Sequence, residues 1–274
     1  MSRLSDKYGK SAIVLGCAEG LGEAFIYNLR SKNITQLFLV DNNSEALERL
    51  ASEVKLDPEI NNVSSFLLDL TQPDTWDKVT EIIVSSGIRI VIINAAYGPV
   101  SLFESLERRD LSRIINLNVQ CPTQIVHEIL NRRNDSLPLG IVIISSLSAY
   151  YGGVGIAAYA ASKSYLLTLG RSLHRELKPK GVDILTCCPG MIDTPGLRNS
   201  SPTLSAVKIT PSHPSDIASA TLNALGKKAI LVPGRVNRLS YFIFNRLLPY
   251  KIVHRIVDNV LSHMYDLSKQ IKGK

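Results

Sequence analysis

Tyr159 and Lys163 stand four residues apart in Y-A-A-S-K, with Ser146 thirteen residues upstream. Residues four apart on a helix share a face, so a phenol and an ammonium would stand side by side in one cleft. A phenol with a pKa of about 10 is a poor base near neutrality, but a neighbouring cation favours the phenolate. Tyr159 would then act as general acid/base toward a hydroxyl or carbonyl group. The same spacing occurs on many solvated helices, so the reading depends on its surroundings.

A second constellation lies near the start of the chain. Gly16-Cys17-Ala18-Glu19-Gly20-Leu21-Gly22 follows an apolar run and opens a helix-length stretch. Glycines permit positive φ and let backbone N–H groups at a helix N-terminus approach a pyrophosphate. Asp41 ends the next apolar run, twenty-one residues after Gly20, where a carboxylate can accept hydrogen bonds from the adenosine ribose. Glu19 adds a second negative charge in place of the Arg or Lys that a 2′-phosphate would want, which favours NAD over NADP.

Positioning these residues takes alternating strands and helices. The runs SAIVLG, QLFLVD, SSFLLDL, IRIVIINAA, GIVIISS, VDILTCCPG and AILVPG are interleaved with amphipathic stretches over roughly 20–32, 44–55, 73–86, 107–132 and 156–178. Strands built almost wholly of Val, Ile and Leu are buried on both faces, as in parallel sheets flanked by helices. The pattern predicts an α/β fold: a single doubly wound Rossmann-like domain with a mostly parallel seven-stranded sheet and right-handed crossovers. That domain is expected over 1–234, with a basic helical extension over 235–274 that is not an independent domain. The Ser-, Pro- and Thr-rich stretch from Thr194 to Pro214 follows a strand whose carboxyl end should face the cleft, and is expected to be a mobile substrate lid.

From about Lys10 to Gly234 the chain resembles a classical short-chain dehydrogenase/reductase. The family's T-G-x-x-x-G-I-G reads here as Leu15-Gly16 through Leu21-Gly22, with Leu15 replacing the threonine and all three glycines kept. Its N-N-A-G segment reads as Ile93-Asn94-Ala95-Ala96; the first Asn and the Gly are replaced, and the resemblance implies that Asn94 still steadies the sheet and the cofactor cleft. Asp69, followed by Leu70, is similar to the aspartate that meets adenine, and Asn42 follows the ribose-binding Asp41. Asn118 in NLNVQ resembles the helix asparagine that helps hold a water in a proton relay to the lysine, while Asn116 is expected to point away. Ser146 matches the catalytic serine by its spacing to Tyr159 and would bind the substrate oxygen; Ser145 and Ser148 are expected to satisfy local backbone groups. Pro189-Gly190-Met191-Ile192-Asp193-Thr194 is similar to P-G-x-x-x-T, in which the backbone near Ile192 and the hydroxyl of Thr194 orient the nicotinamide carboxamide.

The resemblance implies hydride transfer between nicotinamide C4 and a carbinol carbon, with Tyr159 as base in oxidation and acid in reduction. Lys163 would lower the tyrosine pKa and hold the nicotinamide ribose, Ser146 would polarise the substrate oxygen, and Asn118 would complete the relay. It also implies a homodimer or homotetramer built on the long helices around Asn118 and Tyr159. The expected activity is NAD(H)-dependent interconversion of a secondary alcohol and a ketone. The alternatives are an NADPH-dependent carbonyl reductase and a non-catalytic dinucleotide-binding scaffold at a membrane surface.

Four cysteines, Cys17, Cys121, Cys187 and Cys188, form no C-x-x-C pair, and the adjacent two should point to opposite faces of a strand. A reducing cytosol fits. MSRLSDKYGK lacks an apolar core of signal-peptide length, and no segment reaches the ~20 apolar residues of a membrane span. The five histidines offer no ligand spacing for zinc, so no metal is expected. Trp76, at a helix start, reads as a packing residue. Of the net charge of +7, residues 235–274 hold eight Lys/Arg against two Asp. No helix-turn-helix or stacking aromatics accompany them, which argues against nucleic acid. Ile252, Val253, Ile256, Val257, Val260, Leu261 and Met264 trace one apolar helical face with Lys251, Arg255 and Asp258 off it. That face would pack on the body, cover the cleft or meet another subunit; the alternative is peripheral contact with an anionic membrane. Either arrangement favours a hydrophobic lipid-, steroid- or polyketide-like substrate over a free sugar.

Overall fold

The computed structural model describes residues 4–207 and 209–267. Lys208 of the expected lid, and Lys269, Lys272 and Lys274 of the basic extension, lie outside them. The strands are β1 (Ser11–Leu15), β2 (Gln36–Asp41), β3 (Asn62–Leu67), β4 (Ile90–Ile93), β5 (Leu139–Ile144), β6 (Val182–Cys187) and β7 (Ile230–Leu231). They form one sheet in the order β3-β2-β1-β4-β5-β6-β7. All six pairings are parallel, so the sheet is parallel throughout rather than mostly so.

The helices are α1 (Leu4–Tyr8), α2 (Gly20–Arg30), α3 (Ser44–Lys55), α4 (Asp74–Ser85), α5 (Arg108–Ile115), α6 (Cys121–Arg132), α7 (Ser148–Tyr151), α8 (Ala157–Leu177), α9 (Pro195–Asn199), α10 (Leu204–Val207), α11 (Pro214–Ala224), α12 (Arg235–Arg246) and α13 (Tyr250–Met264). Alternate strand residues feed two apolar layers. Val14 joins Phe25, Leu50 and Leu222 on the face covered by α2, α3 and α11. Ile13 and Leu15 join Val79, Ile125 and Leu166 on the face covered by α4, α6 and α8. Each such side chain taken fully out of water contributes about 1.5–3 kcal/mol, which is why the central strands β4 and β5 carry no polar side chain while the edge strand β3 carries Asn62, Ser64 and Ser65. Cys187 and Cys188 fall in different clusters, on opposite faces. Trp76 is buried and donates from its indole to the Leu70 carbonyl (2.9 Å), as a packing residue does.

The stretch expected to be helical over 107–132 is helical from Arg108 to Arg132, with one change of winding. Between α5 and α6 the backbone makes a π turn over Asn116–Gln120. Pro122, at the start of α6, has no N–H to give the carbonyl four residues back, which loosens the α-helical ladder there. The turn aims its two asparagines apart: Asn116 donates to the Thr71 carbonyl (3.1 Å), and Asn118 turns inward to Tyr97.

The Ser-, Pro- and Thr-rich stretch after Thr194 carries α9 and α10. It is tied down at both ends. Ile192 bridges to Ser212, the Thr203 N–H donates to the Met264 carbonyl (2.8 Å), and the Ser200 and Tyr265 hydroxyls lie 3.2 Å apart. The C-terminal helices lie on the body and over the cleft. On α12, Tyr241 meets Tyr150 edge-on (4.7 Å between centroids), Phe244 meets Tyr151 (5.5 Å), and Asn245 donates to the Tyr151 hydroxyl (2.6 Å). On α13, Asp258 accepts from the Val154 N–H (3.1 Å). Val253 and Met264 are buried, Val257, Val260 and Leu261 wall the cleft, and Ile252 stays exposed. The apolar face read on α13 therefore packs on the body and over the cleft, as expected first, and is not the membrane face of the alternative.

Candidate active site

The carboxyl ends of the central strands open on a cleft of about 1210 Å³, at the point where strand order reverses between β1 and β4. At one end lies the glycine turn. Gly16 has φ +80°, and a Cβ there would sit 2.6 Å from the Ala95 backbone, so only glycine lets the turn lie against the chain leaving β4. A Cβ at Gly22 would sit 1.9 Å from the Gly16 carbonyl oxygen, so α2 also enters at glycine-only distance. The first intrahelical acceptor is the Glu19 carbonyl, taken by Glu23 (3.4 Å); the N–H groups at the start of α2 are left for a ligand. Glycine-only space and the positive end of an eleven-residue helix suit a pyrophosphate, so the residues fit a dinucleotide.

Of the residues expected to hold that group, Gly16, Glu19, Gly20, Leu21, Asp41, Asn42, Asp69, Leu70, Asn94, Ala95, Ala96, Tyr159, Lys163, Pro189, Gly190, Ile192 and Thr194 line the cleft, as does Ser146. Ala18, Gly22 and Asn118 do not. Ala18 is buried and donates its N–H to Asp41 Oδ2 (2.9 Å), so it and Gly22 shape the turn without facing the ligand. Asp41 Oδ1 accepts from the N–H groups of Asn42 (2.8 Å) and Asn43 (3.1 Å). This carboxylate is both a turn former and a negative charge at the cleft edge. Asn94 Nδ2 donates to the Gly16 carbonyl (2.6 Å), tying the two strand ends together. Asp69 accepts from the N–H (2.9 Å) and hydroxyl (2.8 Å) of Thr71. Burial works against its charge, but these bonds and the nearby Arg113 guanidinium hold its pKa below the usual carboxylate range. Thr194 caps α9 through the Leu197 N–H (3.3 Å). It also stands across from Gly20, whose Cβ would lie 2.9 Å from its methyl group.

At the other end, α8 brings Tyr159 into the cleft with Ser146, whose hydroxyl counters part of the effect of burial on the phenol. Lys163 lies one turn on, its Nζ 5.6 Å from the tyrosine ring centroid. It does not reach for the phenol. It is buried, donates to the Ile144 carbonyl (2.9 Å), and burial pulls its pKa down to about 8. The expected lowering of the tyrosine pKa by lysine is therefore not what the protein's own groups produce: burial pushes Tyr159 up, and the Ser146 hydroxyl offsets only part of that. Ser145 satisfies local backbone, donating to the Lys163 carbonyl (2.7 Å). Ser148 does not: its N–H donates to Ser146 Oγ (3.1 Å), while its own hydroxyl is buried without a partner.

Asn118 acts differently from a simple water ligand. Its Oδ1 accepts from the Tyr97 N–H (2.9 Å), and its Nδ2 donates to the Tyr97 carbonyl (2.7 Å) and to Ser162 Oγ (3.0 Å). Ser162 in turn donates to the Tyr159 carbonyl (2.6 Å). One buried side chain thus fixes both α8 at Tyr159 and the loop after β4. That loop carries Gly98, where a Cβ would lie 2.2 Å from Tyr159 Cδ2. Tyr97, Gly98 and Ser162 belong to the site's construction, and sequence reasoning missed them because nothing in their spacing marks the contact. Burial pushes Cys121 and Cys187 up to about 12 and Cys188 to about 11, so these thiols are inert packing groups.

The short chain dehydrogenase family model matches residues 10–205. The chain is 23% identical over 233 residues to the 7beta-hydroxysteroid dehydrogenase of Clostridium sardiniense, covering 85% of this chain and 88% of the relative. It is 30% identical over 227 residues to the 1-deoxy-11-beta-hydroxypentalenate dehydrogenase of Streptomyces exfoliatus, covering 79% and 80%. A solved 7beta-hydroxysteroid dehydrogenase structure shares the fold at a TM-score of 0.80 and 20% identity, over 93% of this chain and 99% of that one. With its matched region running from the first strand into the segment after Thr194, the chain belongs to the short-chain dehydrogenase family and is an oxidoreductase acting on CH–OH groups.

Proposed function

We propose that this protein uses NAD(H) to interconvert a secondary alcohol and a ketone on a hydrophobic substrate, with Tyr159 as general acid/base. The observation that carries the reading is the convergence of Tyr159, Ser146 and Lys163 in a cleft whose far end is the glycine turn and Asp41. The bound cofactor supplies a hydride acceptor or donor at nicotinamide C4. In oxidation, Tyr159 takes the hydroxyl proton as the carbinol hydrogen leaves as hydride; in reduction, it gives the proton back. Ser146 holds the substrate oxygen against the phenol. Lys163, with a pKa near 8, stands one turn away to hold the nicotinamide ribose and pass the proton on. Asn118 serves the relay by fixing α8 and the Tyr97 loop, its side chain being committed to them. Ile192 and Thr194 would orient the carboxamide, and Asp69 and Leu70 would meet the adenine.

Asp41 and Glu19 at the ribose end support NAD over NADP, since a 2′-phosphate would face a carboxylate. Tyr151, Phe244, Val257 and Leu261 around the other end support a hydrophobic substrate, as do relatives named for a hydroxysteroid and a hydroxypentalenate. The described part of the extension, residues 235–267, is then a cover on the catalytic domain rather than a domain of its own. Exposed Ile115 and Tyr165 on α5 and α8 support a homo-oligomer through those helices, and the four free buried thiols fit the cytoplasm.

The test is a fluorescence titration with NADH and NADPH, followed by turnover of hydrophobic secondary alcohols by the wild type and Tyr159→Phe. The expected result is NADH bound at least tenfold tighter, about 1.4 kcal/mol, and turnover lost in the variant. Tighter NADPH binding overturns the charge argument, and full turnover by Tyr159→Phe overturns the role given to the phenol.

A further inference from the structure

The helix α12 has two apolar faces, and the body covers one. Asn237, Tyr241 and Phe244 face inward, against Gly190, Tyr150 and Tyr151. At 100° per residue, Arg235, Arg238, Leu239, Phe242 and Arg246 fall on the opposite side. There Leu239 is 60% and Phe242 53% exposed, and the turn that follows leaves Leu247 at 63% and Tyr250 at 75%. A large apolar side chain left in water is ordinary singly, but a row along one helix marks a contact surface.

The charges on that row say what it meets. Arg235, Arg238, Arg246, Lys251 and Arg255 are all exposed, and the sequence has no acidic residue from Arg235 through Val257. The arginines alternate with the apolar residues on one stripe instead of ringing a separate patch. That arrangement suits a partner that is anionic at one depth and apolar a few ångströms below, into which leucine and phenylalanine insert while arginine stems lie along them and the guanidiniums stay at the surface. No helix among the described residues is long and apolar enough to cross a membrane, so the contact is interfacial. The inner face of the same helix contributes Tyr241 and Phe244 to the wall of the cleft.

We propose that the outer face of α12, continued by the Leu247-to-Lys251 turn, docks this protein on an anionic phospholipid surface and sets the cleft one helix diameter, about 10 Å, from the lipid. The docking does not depend on the cofactor or substrate proposed above.

The experiment is vesicle flotation of the full chain, with phosphatidylcholine alone and with about 30% phosphatidylglycerol, at low and high salt. The protein is expected to float with the anionic vesicles, and to be released at high salt as the charges are screened. Arg235→Gln/Arg238→Gln/Arg246→Gln should lower partitioning about a hundredfold, near fivefold for each charge removed. Leu239→Asp/Phe242→Asp should lower it at least tenfold. All five positions are exposed, so NADH titration and the urea midpoint should match wild type and show that both variants are folded. Failure of folded wild type to float overturns the proposal, and so does flotation untouched by both variants. A dimer without lipid that the Leu239/Phe242 variant abolishes, seen by sedimentation velocity, also overturns it, in favour of a second copy of this chain on the stripe.

Discussion

Alanine at Gly98 would test whether the backbone opposite Tyr159 holds the phenol in register. The new Cβ would lie 2.2 Å from Tyr159 Cδ2 and 2.8 Å from Cγ. Ordinary contact begins at 3.4 Å, so something must move by about 1.2 Å, the difference between those separations. The residue itself tolerates alanine, because Gly98 is not among the positive-φ glycines. The loop is poorly placed to retreat. Tyr97 is held through both its N–H and its carbonyl by Asn118, and the Ser101 N–H donates to the Gly155 carbonyl (2.9 Å). The ring therefore takes up the displacement and its hydroxyl swings away from Ser146. A misplacement of about 1 Å in a reacting group costs on the order of a hundredfold in rate, about 2.7 kcal/mol. The assay is steady-state oxidation of a hydrophobic secondary alcohol, with NADH binding measured on the same preparation. We expect kcat to fall about a hundredfold and the Kd for NADH to change less than about twofold. A kcat within about threefold of wild type would refute the reasoning, because it would mean that the loop yields and does not define the position of the phenol.

Two further outcomes concern buried charges. Burial lowers Lys163 to about 8 from 10.5, so between those values the unfolded chain binds the extra proton and stability must rise with pH. The urea midpoint of wild type should therefore climb relative to that of Lys163→Met from pH 8 to 10.5, by the equivalent of about 3 kcal/mol; parallel curves would show that the ammonium is not strained by its site. Asp183, at 3% side-chain exposure, accepts from the Tyr8 hydroxyl (2.6 Å) and pairs with Lys7 (2.5 Å) and Lys178. Burial opposes its charge, yet these partners hold its pKa below the usual range. Its contribution is complete above about pH 4 and is lost as pH falls through the carboxylate range. Asp183→Asn should cost about 2 kcal/mol at neutral pH, with the variant and wild type converging in acid; an unchanged urea midpoint at neutrality would refute this.

Much of the site was legible because its signals are local. Tyr159 and Lys163 share a helix face by spacing alone, and Gly16, Gly20 and Gly22 announce a turn that only glycine can make. What spacing does not carry is the direction of a flexible side chain after packing. Lys163 Nζ chooses the Ile144 carbonyl over the phenol, and Asp41 turns part of its carboxylate back onto Ala18, Asn42 and Asn43. Ser148, read as a local backbone ligand, keeps an unpaired hydroxyl. The amphipathic stretch read over 107–132 is helical from Arg108 to Arg132, but the π turn over Asn116–Gln120, just before Pro122, was not legible in its periodicity.

The sequence by itself determined the fold and the chemistry available to it. Runs of Val, Ile and Leu have no stable place except a strand covered on both faces, and alternation with amphipathic helices leaves the parallel doubly wound sheet as the arrangement that buries them. Only the tertiary structure decided which groups meet. Asn118 reaches Tyr97 and Ser162, Gly98 yields space to Tyr159, and the C-terminal helices turn the face of α13 inward while leaving only the outer face of α12 in solvent. These contacts join residues far apart in the chain, and their energies exist only once the sheet has brought those residues together; periodicity reports which face of a helix is apolar, not which neighbour will cover it.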